Sequence, residues 1–424
     1  MTTENLVLNA ELTGSGPMPE GWTFDSPRKE LEPRYAVDRS PHGGTRLALE
    51  GTGCRYAFGC WRGSANLQVG NWYRATVKAQ VENIERPELS VFAQVAKHFL
   101  VPRDSVERPI VLERVFRHGE PSDGNAVELY LKATESGRVV WSEPCVIRIP
   151  EPAFRTARVA AIRFGETRNP LTMEQQRSRI AEKLDQAGRL SPDIVAVTEV
   201  APIVGIPEEV YGSFAACAET VPDGPTCRIV ADAARKHGMY ALIGILERRG
   251  DFLFNTAVLF DRQGELCGQY DKTHLTFNEL QGGISCGDGF PVFDLDFGRI
   301  GIHICYDEWF PEVARYYAHQ GVEILFLPVM GGKPITWRTR ALDNGIYFVS
   351  ASTGPPSMII DSSGIILAET HGDGVVSADL NLDYRETNWY RDPTLSYGMP
   401  CIAPQMRMRL SDQLLDDLHR AMKY

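Results

Sequence analysis

The chain has 424 residues, 43% hydrophobic and 23% charged, more than one ordinary domain needs and enough to bury sizeable cores. Its net charge of −11 argues against a nucleic-acid partner. No run of about eighteen apolar residues occurs, so no membrane span is expected.

The opening segment, "MTTENLVLNAELTGSG", lacks a basic region followed by an apolar core, so no secretory signal is expected. Nine cysteines are scattered without a CxxC and without His pairs at zinc-finger spacing. That pattern gives no reason to expect a structural zinc site and fits a reducing compartment, with the cytoplasm as the default.

Residues 1–150 are built from short alternating runs broken by Gly, Pro and Asn. In "YRATVKAQVE", Ala75, Val77, Ala79 and Val81 share one face and Arg74, Thr76, Lys78 and Gln80 the other. "AVELYLKAT" repeats the pattern with Val127, Leu129 and Leu131. Such period-two runs predict antiparallel sheets with one wet face, hence an all-β sandwich. "IPEPAF" at 149–154 reads as a proline-stiffened junction.

From residue 155 the grammar changes. "ARVAAIRF", "DIVAVTEV", "ALIGIL", "RIGIHIC" and "EILFLPV" read as buried strands, and "FNTAVLFD" and "ELCGQYDKTHL" as a strand pair. Between them, "TMEQQRSRIAEKLDQAGRL", "PTCRIVADAARKHGMY" and a segment from Pro311 to about Gln320 have helical spacing. Buried strands interleaved with helices mean an α/β domain, 155–405, and "SDQLLDDLHRAMKY" predicts a helical tail over 406–424.

Three polar residues stand at strand ends in this second domain: Glu199 after "DIVAVT", Lys272 after "GQYD" and Cys305 after "RIGIHI". Chemistry in α/β folds gathers where strand ends face a crevice. Alone, each has a plainer reading: a solvated acid, a surface lysine, a cysteine packed as a small hydrophobe. Together they form an acyl-transfer set. A lysine cation and the helix opening at Pro311 would favour the thiolate, and a carboxylate can move protons to and from thiol, leaving amine and water. Lysine and the N–H of Tyr306 can hold an oxyanion.

"TEVAP", "YDKTHLTFNE" and "GIHICYDEWFPEVAR", in that order, resemble the nitrilase or carbon–nitrogen hydrolase superfamily, with the likeness covering about 155–380. The resemblance implies a four-layer αββα sandwich, a Glu199–Lys272–Cys305 triad, Glu279 as a supporting acid, no cofactor, and a homodimer or higher homo-oligomer. "CYD" after the strand is similar to the amidase and carbamoylase branches, which implies hydrolysis of a small amide or N-carbamoyl compound. Nitrile hydrolysis, N-acyl transfer and a degenerate, non-catalytic scaffold are the alternatives. Tyr306, Trp309, Trp337 and Met330 are candidates for the pocket, as is the loop in "ASTGPPSMIIDSSG". Asp307 and Glu308 either select a cationic amine or serve as helix-capping acids.

"NLVLNAELTGSGPMPEGWTF" resembles the opening of carbohydrate-binding, galactose-binding-like jelly rolls. The likeness implies a possible glycan partner for 1–150, with Trp22, Trp61, Trp72 and Tyr73 as candidate platforms. The competing expectation, favoured by the missing signal, is a purely structural module.

Overall fold

The computed structural model describes residues 4–39, 44–85, 87–102, 109–119, 121, 124–165 and 169–383; Cys401 and the helix expected over 406–424 lie outside them. The described residues divide into two compact units between Ala153 and Phe154. Among them, no helix is long and apolar enough to cross a membrane.

The first unit is all-β apart from short turns. Its strands are β1 (Thr23–Asp25), β2 (Arg34–Arg39), β3 (Thr45–Glu50), β4 (Phe58–Ser64) and β5 (Trp72–Glu82), then a four-residue helix α1 (Pro87–Ser90). There follow β6 (Val91–Val95), β7 (His98–Pro102), β8 (Ile110–Arg117), β9 (Ala126–Lys132) and β10 (Arg138–Ile149). They form one ladder ordered β1-β4-β9-β6-β7-β8-β5-β10-β3-β2. The first half of β7 pairs with β6 and its last two residues pair with β8, and both halves of the ladder feed one core. The alternation read from "YRATVKAQVE" holds: Ala75, Val77 and Ala79 are buried. Trp61 crosses that core to donate its indole N–H to the carbonyl of Ala48, 3.1 Å away. All four aromatic residues offered as glycan platforms, Trp22, Trp61, Trp72 and Tyr73, are buried. A sugar face must lie on an exposed ring, so these side chains are core and not a platform.

The second unit carries two six-stranded sheets. Its elements begin with β11 (Thr156–Arg163), α2 (Met173–Gly188), β12 (Ile194–Ala196), α3 (Glu208–Tyr211), α4 (Phe214–Cys217) and α5 (Pro225–His237). Next come β13 (Tyr240–Arg249), β14 (Phe252–Phe260), β15 (Leu266–Asp271), α6 (Phe277–Gln281), β16 (Val292–Asp294) and β17 (Arg299–Ile302). The unit closes with α7 (Pro311–His319), β18 (Ile324–Val329), α8 (Pro334–Asn344), β19 (Tyr347–Ser352), β20 (Ser357–Ile360), β21 (Ile366–Thr370) and β22 (Gly374–Asn381). The sheets run β15-β14-β13-β12-β11-β22 and β16-β17-β18-β19-β20-β21.

Strand β11 shows why these runs read as continuously apolar. Ala160 and Ile162 pack with Ile180 and Leu184 of α2, while Val159 and Ala161 join the core shared with the second sheet. Both faces are covered, so neither can be polar. Helix α2 starts on a reciprocal cap in which the Thr172 hydroxyl receives the Gln175 N–H and the Gln175 side chain receives the Thr172 N–H. Helix α5 stops at Gly238, whose φ of 63° is the left-handed geometry that suits glycine. On the second sheet, Tyr317 of α7 lies over Gly301, where an added Cβ would come within 2.6 Å of its ring. The layers are therefore helix, sheet, sheet, helix, as the resemblance implies.

One buried group makes the second unit acid-sensitive. His303 is fully enclosed, and burial pushes its pKa down to about 4, with the Asp307 charge opposing in part. The unfolded ring protonates near its ordinary value while the folded ring stays neutral, so the unfolded state binds more protons in that window and stability falls as pH falls. Urea unfolding should show a loss of about 2 kcal/mol from about pH 7 to about pH 5. In His303→Gln that loss should shrink.

Candidate functional site

Four strand ends of the second unit converge on one place. Glu199 lies three residues past β12, Lys272 directly after β15, Cys305 three residues past β17 and Met330 directly after β18. The two sheets are joined there, because the Thr198 hydroxyl donates to the Val329 carbonyl at 2.7 Å. Gly244 on β13 lets the Glu199 segment close in: a Cβ at that glycine would stand 2.6 Å from Glu199 Cα and 2.9 Å from Thr198 O. Backbone atoms cannot yield to that contact. In Gly244→Ala, Glu199 should move by a fraction of an ångström, and catalytic turnover should fall on the order of a hundredfold with little change in fold. Steady-state assays beside circular dichroism would check this.

The centre of the site is an ion cluster. Lys272, only 1% exposed, places Nζ 2.8 Å from Glu199 Oε1 and 2.9 and 3.0 Å from the two oxygens of Glu279. Asn255 on β14 donates from Nδ2 to both acids, at 2.8 Å to Glu199 and 2.7 Å to Glu279. Glu199 also accepts the Met330 N–H at 3.1 Å. Glu279 is set by its helix: α6 starts at Thr276, whose N–H and hydroxyl both donate to Glu279 Oε2 at 2.8 Å. The acid expected to support the lysine is thus a capping residue whose other oxygen faces inward. Burial alone would raise its pKa, but the Lys272 charge and the Asn255 and Thr276 hydrogen bonds hold it below the usual carboxylate range. For Lys272 burial opposes the charge, yet Glu199, Cys305 and Glu279 together raise its pKa, so the ammonium persists at neutral pH.

Cys305 is the first residue of a 3-10 turn, Cys305–Trp309, with φ of 44°. A β-carbon in that region is strained, and the turn aims the half-buried thiol out of the sheet. Burial pushes its pKa well up, the Glu199 carboxylate adds to this, and Lys272 opposes. Lys272 does favour the thiolate, as expected, but burial outweighs it. The helix named as a second source of stabilisation begins only at Pro311, after the 3-10 turn has ended. Burial and the Glu199 carboxylate thus favour the protonated thiol.

Three of the four residues offered for the pocket, Tyr306, Trp309 and Trp337, lie outside the cavity lining, and the two neighbouring acids are committed elsewhere. Asp307 is fully buried and accepts from Tyr270 OH at 2.7 Å, His274 Nδ1 at 2.8 Å, and the N–H groups of Ile304 at 2.8 Å and His274 at 3.0 Å. It ties down the turn that presents Cys305, and burial, which would raise its pKa, is outweighed by these bonds, which lower it. Trp337 is buried and donates its indole N–H to Glu308, which also accepts the Lys333 N–H at 3.0 Å. Neither acid is free to select a cation. Trp309 and Tyr306 are 48% and 38% exposed and do not line the cavity beside Cys305. Met330 does line it. The loop after β19 acts at one remove, since Thr353 Oγ1 and Gly354 N donate to the Met330 carbonyl at 2.9 and 3.1 Å.

That cavity, about 760 Å³, is bounded by Glu199, Asn255, Lys272, Glu279 and Cys305 on one side and by a largely apolar wall from residues 200–214 and Leu246 on the other. Sequence reasoning missed Asn255, although a lone amide within the apolar run "FNTAVLF" marks a buried polar group in need of partners. The arrangement supplies a nucleophile, a proton-transferring acid and a fixed cation within one concavity, which suffices for acyl transfer to a thiol. Among the described residues, no group of three or more His, Cys, Asp or Glu side chains is placed to hold a metal ion.

The chain is similar to several known proteins. A nitrilase of Pyrococcus abyssi is 34% identical over 189 residues, 43% of this chain and 71% of its own length. An omega-amidase of Xenopus laevis is 31% identical over 237 residues, 48% of this chain and 84% of its own. Among solved structures, an amidase from Nesterenkonia sp. AN1 aligns with a TM-score of 0.48 at 21% identity, covering 56% of this chain and 97% of that one. The carbon-nitrogen hydrolase family profile matches residues 158–388, more than half of the chain. With that match and those relatives, the chain belongs to the carbon-nitrogen hydrolase family.

Proposed function

We propose that the second unit hydrolyses the C–N bond of an amide or N-carbamoyl compound through a thioester on Cys305. The observation that carries this reading is the Lys272 ammonium held between Glu199 and Glu279 at 2.8–3.0 Å, beside a strained cysteine at the edge of the cavity. In the cycle, Glu199 takes the thiol proton as sulfur attacks the carbonyl carbon. Because the thiol pKa is raised, this transfer must accompany the attack and cannot precede it by much. Lys272 and the Tyr306 N–H receive the oxyanion, for which Lys272 gives up one of its two contacts with Glu279. Collapse breaks the C–N bond as Glu199 returns the proton to the departing nitrogen. Water, deprotonated by Glu199, then attacks the thioester; the C–S bond breaks to release the free acid, and the thiolate takes that proton back from Glu199. Glu279 and Asn255 position Lys272 throughout.

The omega-amidase name of one relative supports amides as substrates, and the nitrilase name of another puts nitriles in the test panel. For the first unit we propose a structural role, supported by the burial of its candidate sugar-facing rings. The test of the enzymatic reading is release of ammonia or amine from a panel of amides, N-carbamoyl amines and nitriles. Cys305-dependent release from amides or carbamoyl compounds is expected; release from nitriles alone would overturn the branch. Hydroxamate formation exceeding hydrolysis when hydroxylamine is added would point to acyl transfer.

A further inference from the structure

The cavity is chemically two-sided, and its far side says what the substrate carries besides the reacting amide. Ile203, Leu246 and Val200 are buried members of a small hydrophobic cluster, with Tyr211 and Phe214 packed against it. The same residues line the cavity, so the wall is a fixed apolar surface backed by its own core. Such a wall gains nothing from a small polar amide and about 0.8 kcal/mol from each buried methylene. Charge points the same way. Lys272 is the one basic side chain among the described lining residues, and its ammonium is engaged by Glu199 and Glu279. Glu208, the first residue of α3, stands exposed on the cavity's lining as a further carboxylate. An anionic group at the far end of a substrate would meet like charge and no free cation among the described residues.

Resting on the amide-hydrolase reading, we infer that this site selects amides bearing an extended apolar body, packed on Ile203, Tyr211, Phe214 and Leu246, whose far end is cationic or neutral and not anionic. Glu208 sets the charge preference.

The pocket can be tested apart from the chemistry. The Cys305→Ala protein is titrated calorimetrically with propanamide, octanamide, and octanamide analogues ending in an amino or a carboxy group. Octanamide should bind on the order of a thousandfold more tightly than propanamide, from roughly fourfold for each of the five added methylenes. The amino-ended analogue should bind at least about threefold more tightly than the carboxy-ended one, and Glu208→Gln should shrink that ratio. Phe214→Ala should shrink the octanamide-to-propanamide ratio. Equal affinity along the series, or tightest binding by the carboxy-ended analogue, would overturn the inference. Turnover by the wild type is followed in parallel: octanamide bound with the expected selectivity but never hydrolysed would end the amidase reading and leave the cavity's selectivity standing.

Discussion

Cys305→Ala should lower amide turnover by at least about 10⁴-fold while leaving the unfolding midpoint close to wild type. The thiol makes the protein's only covalent bond to the substrate in the proposed cycle, and no neighbouring group can replace it: Glu199 is the proton carrier and Lys272 is a cation. The fold should tolerate the change because it removes one sulfur at the edge of a cavity. Residue 305 also sits at φ of 44°, where any β-carbon is strained. Cys305→Gly should therefore be as inactive as the alanine variant and about 1 kcal/mol more stable than it. The gain would measure what the protein spends to aim its nucleophile. Ammonia release and urea unfolding of the three proteins read both effects.

Lys272→Met should damage stability as well as activity, since it removes both the cation for the oxyanion and the partner of two enclosed acids. Glu199 and Glu279 share Asn255 as well as Lys272, so without the ammonium two carboxylates face each other in a poorly hydrated space. Breaking a buried ion pair by deleting one partner costs about 3–5 kcal/mol. Activity should fall at least about a thousandfold. The pH dependence of stability should also change sign at this site. In the wild type Glu279 has a depressed pKa, so its contribution is present above its unfolded value and is lost as pH falls through the lower folded value. In Lys272→Met the paired acids should instead have a raised pKa. The folded state then binds the extra proton, and stability recovers as pH falls toward about 5. Unfolding curves at several pH values separate this from a simple loss of packing.

Much of the second unit was legible because its local signals agree. Strands buried on both faces read as unbroken apolar runs, helix starts carry capping pairs such as Thr172 with Gln175, and the three polar residues interrupt the pattern at strand ends. Glu279 was legible only through the resemblance, which implies a second acid between the lysine and the cysteine; its capping bond to Thr276 lies in the same motif. Legibility failed where a residue's role depends on what folds over it. Asp307 stands within the nucleophile motif and Trp337 well beyond it in α8, yet the first anchors the Cys305 turn and the second fills core. Charge and aromaticity predict contact with a ligand only once exposure is known. The thiol's pKa misled for a related reason: proximity to lysine is visible in the motif, whereas burial, the dominant influence, is a property of the whole fold. Asn255 was hidden because one amide in a strand carries no periodic signal. In the first unit, alternation revealed the strands and their inner faces, but it could not say which tryptophans face outward, because core tryptophans and sugar platforms share the same residue type.

The most direct test of the account is to catch the acyl group on the enzyme. Wild-type protein mixed with octanamide is quenched in acid within the first turnovers and digested, and the peptides are weighed. The account predicts an octanoyl mass on the peptide containing Cys305, removable by hydroxylamine and missing from Cys305→Ala. Steady hydrolysis with no acyl group on Cys305, and undiminished in Cys305→Ala, would contradict it.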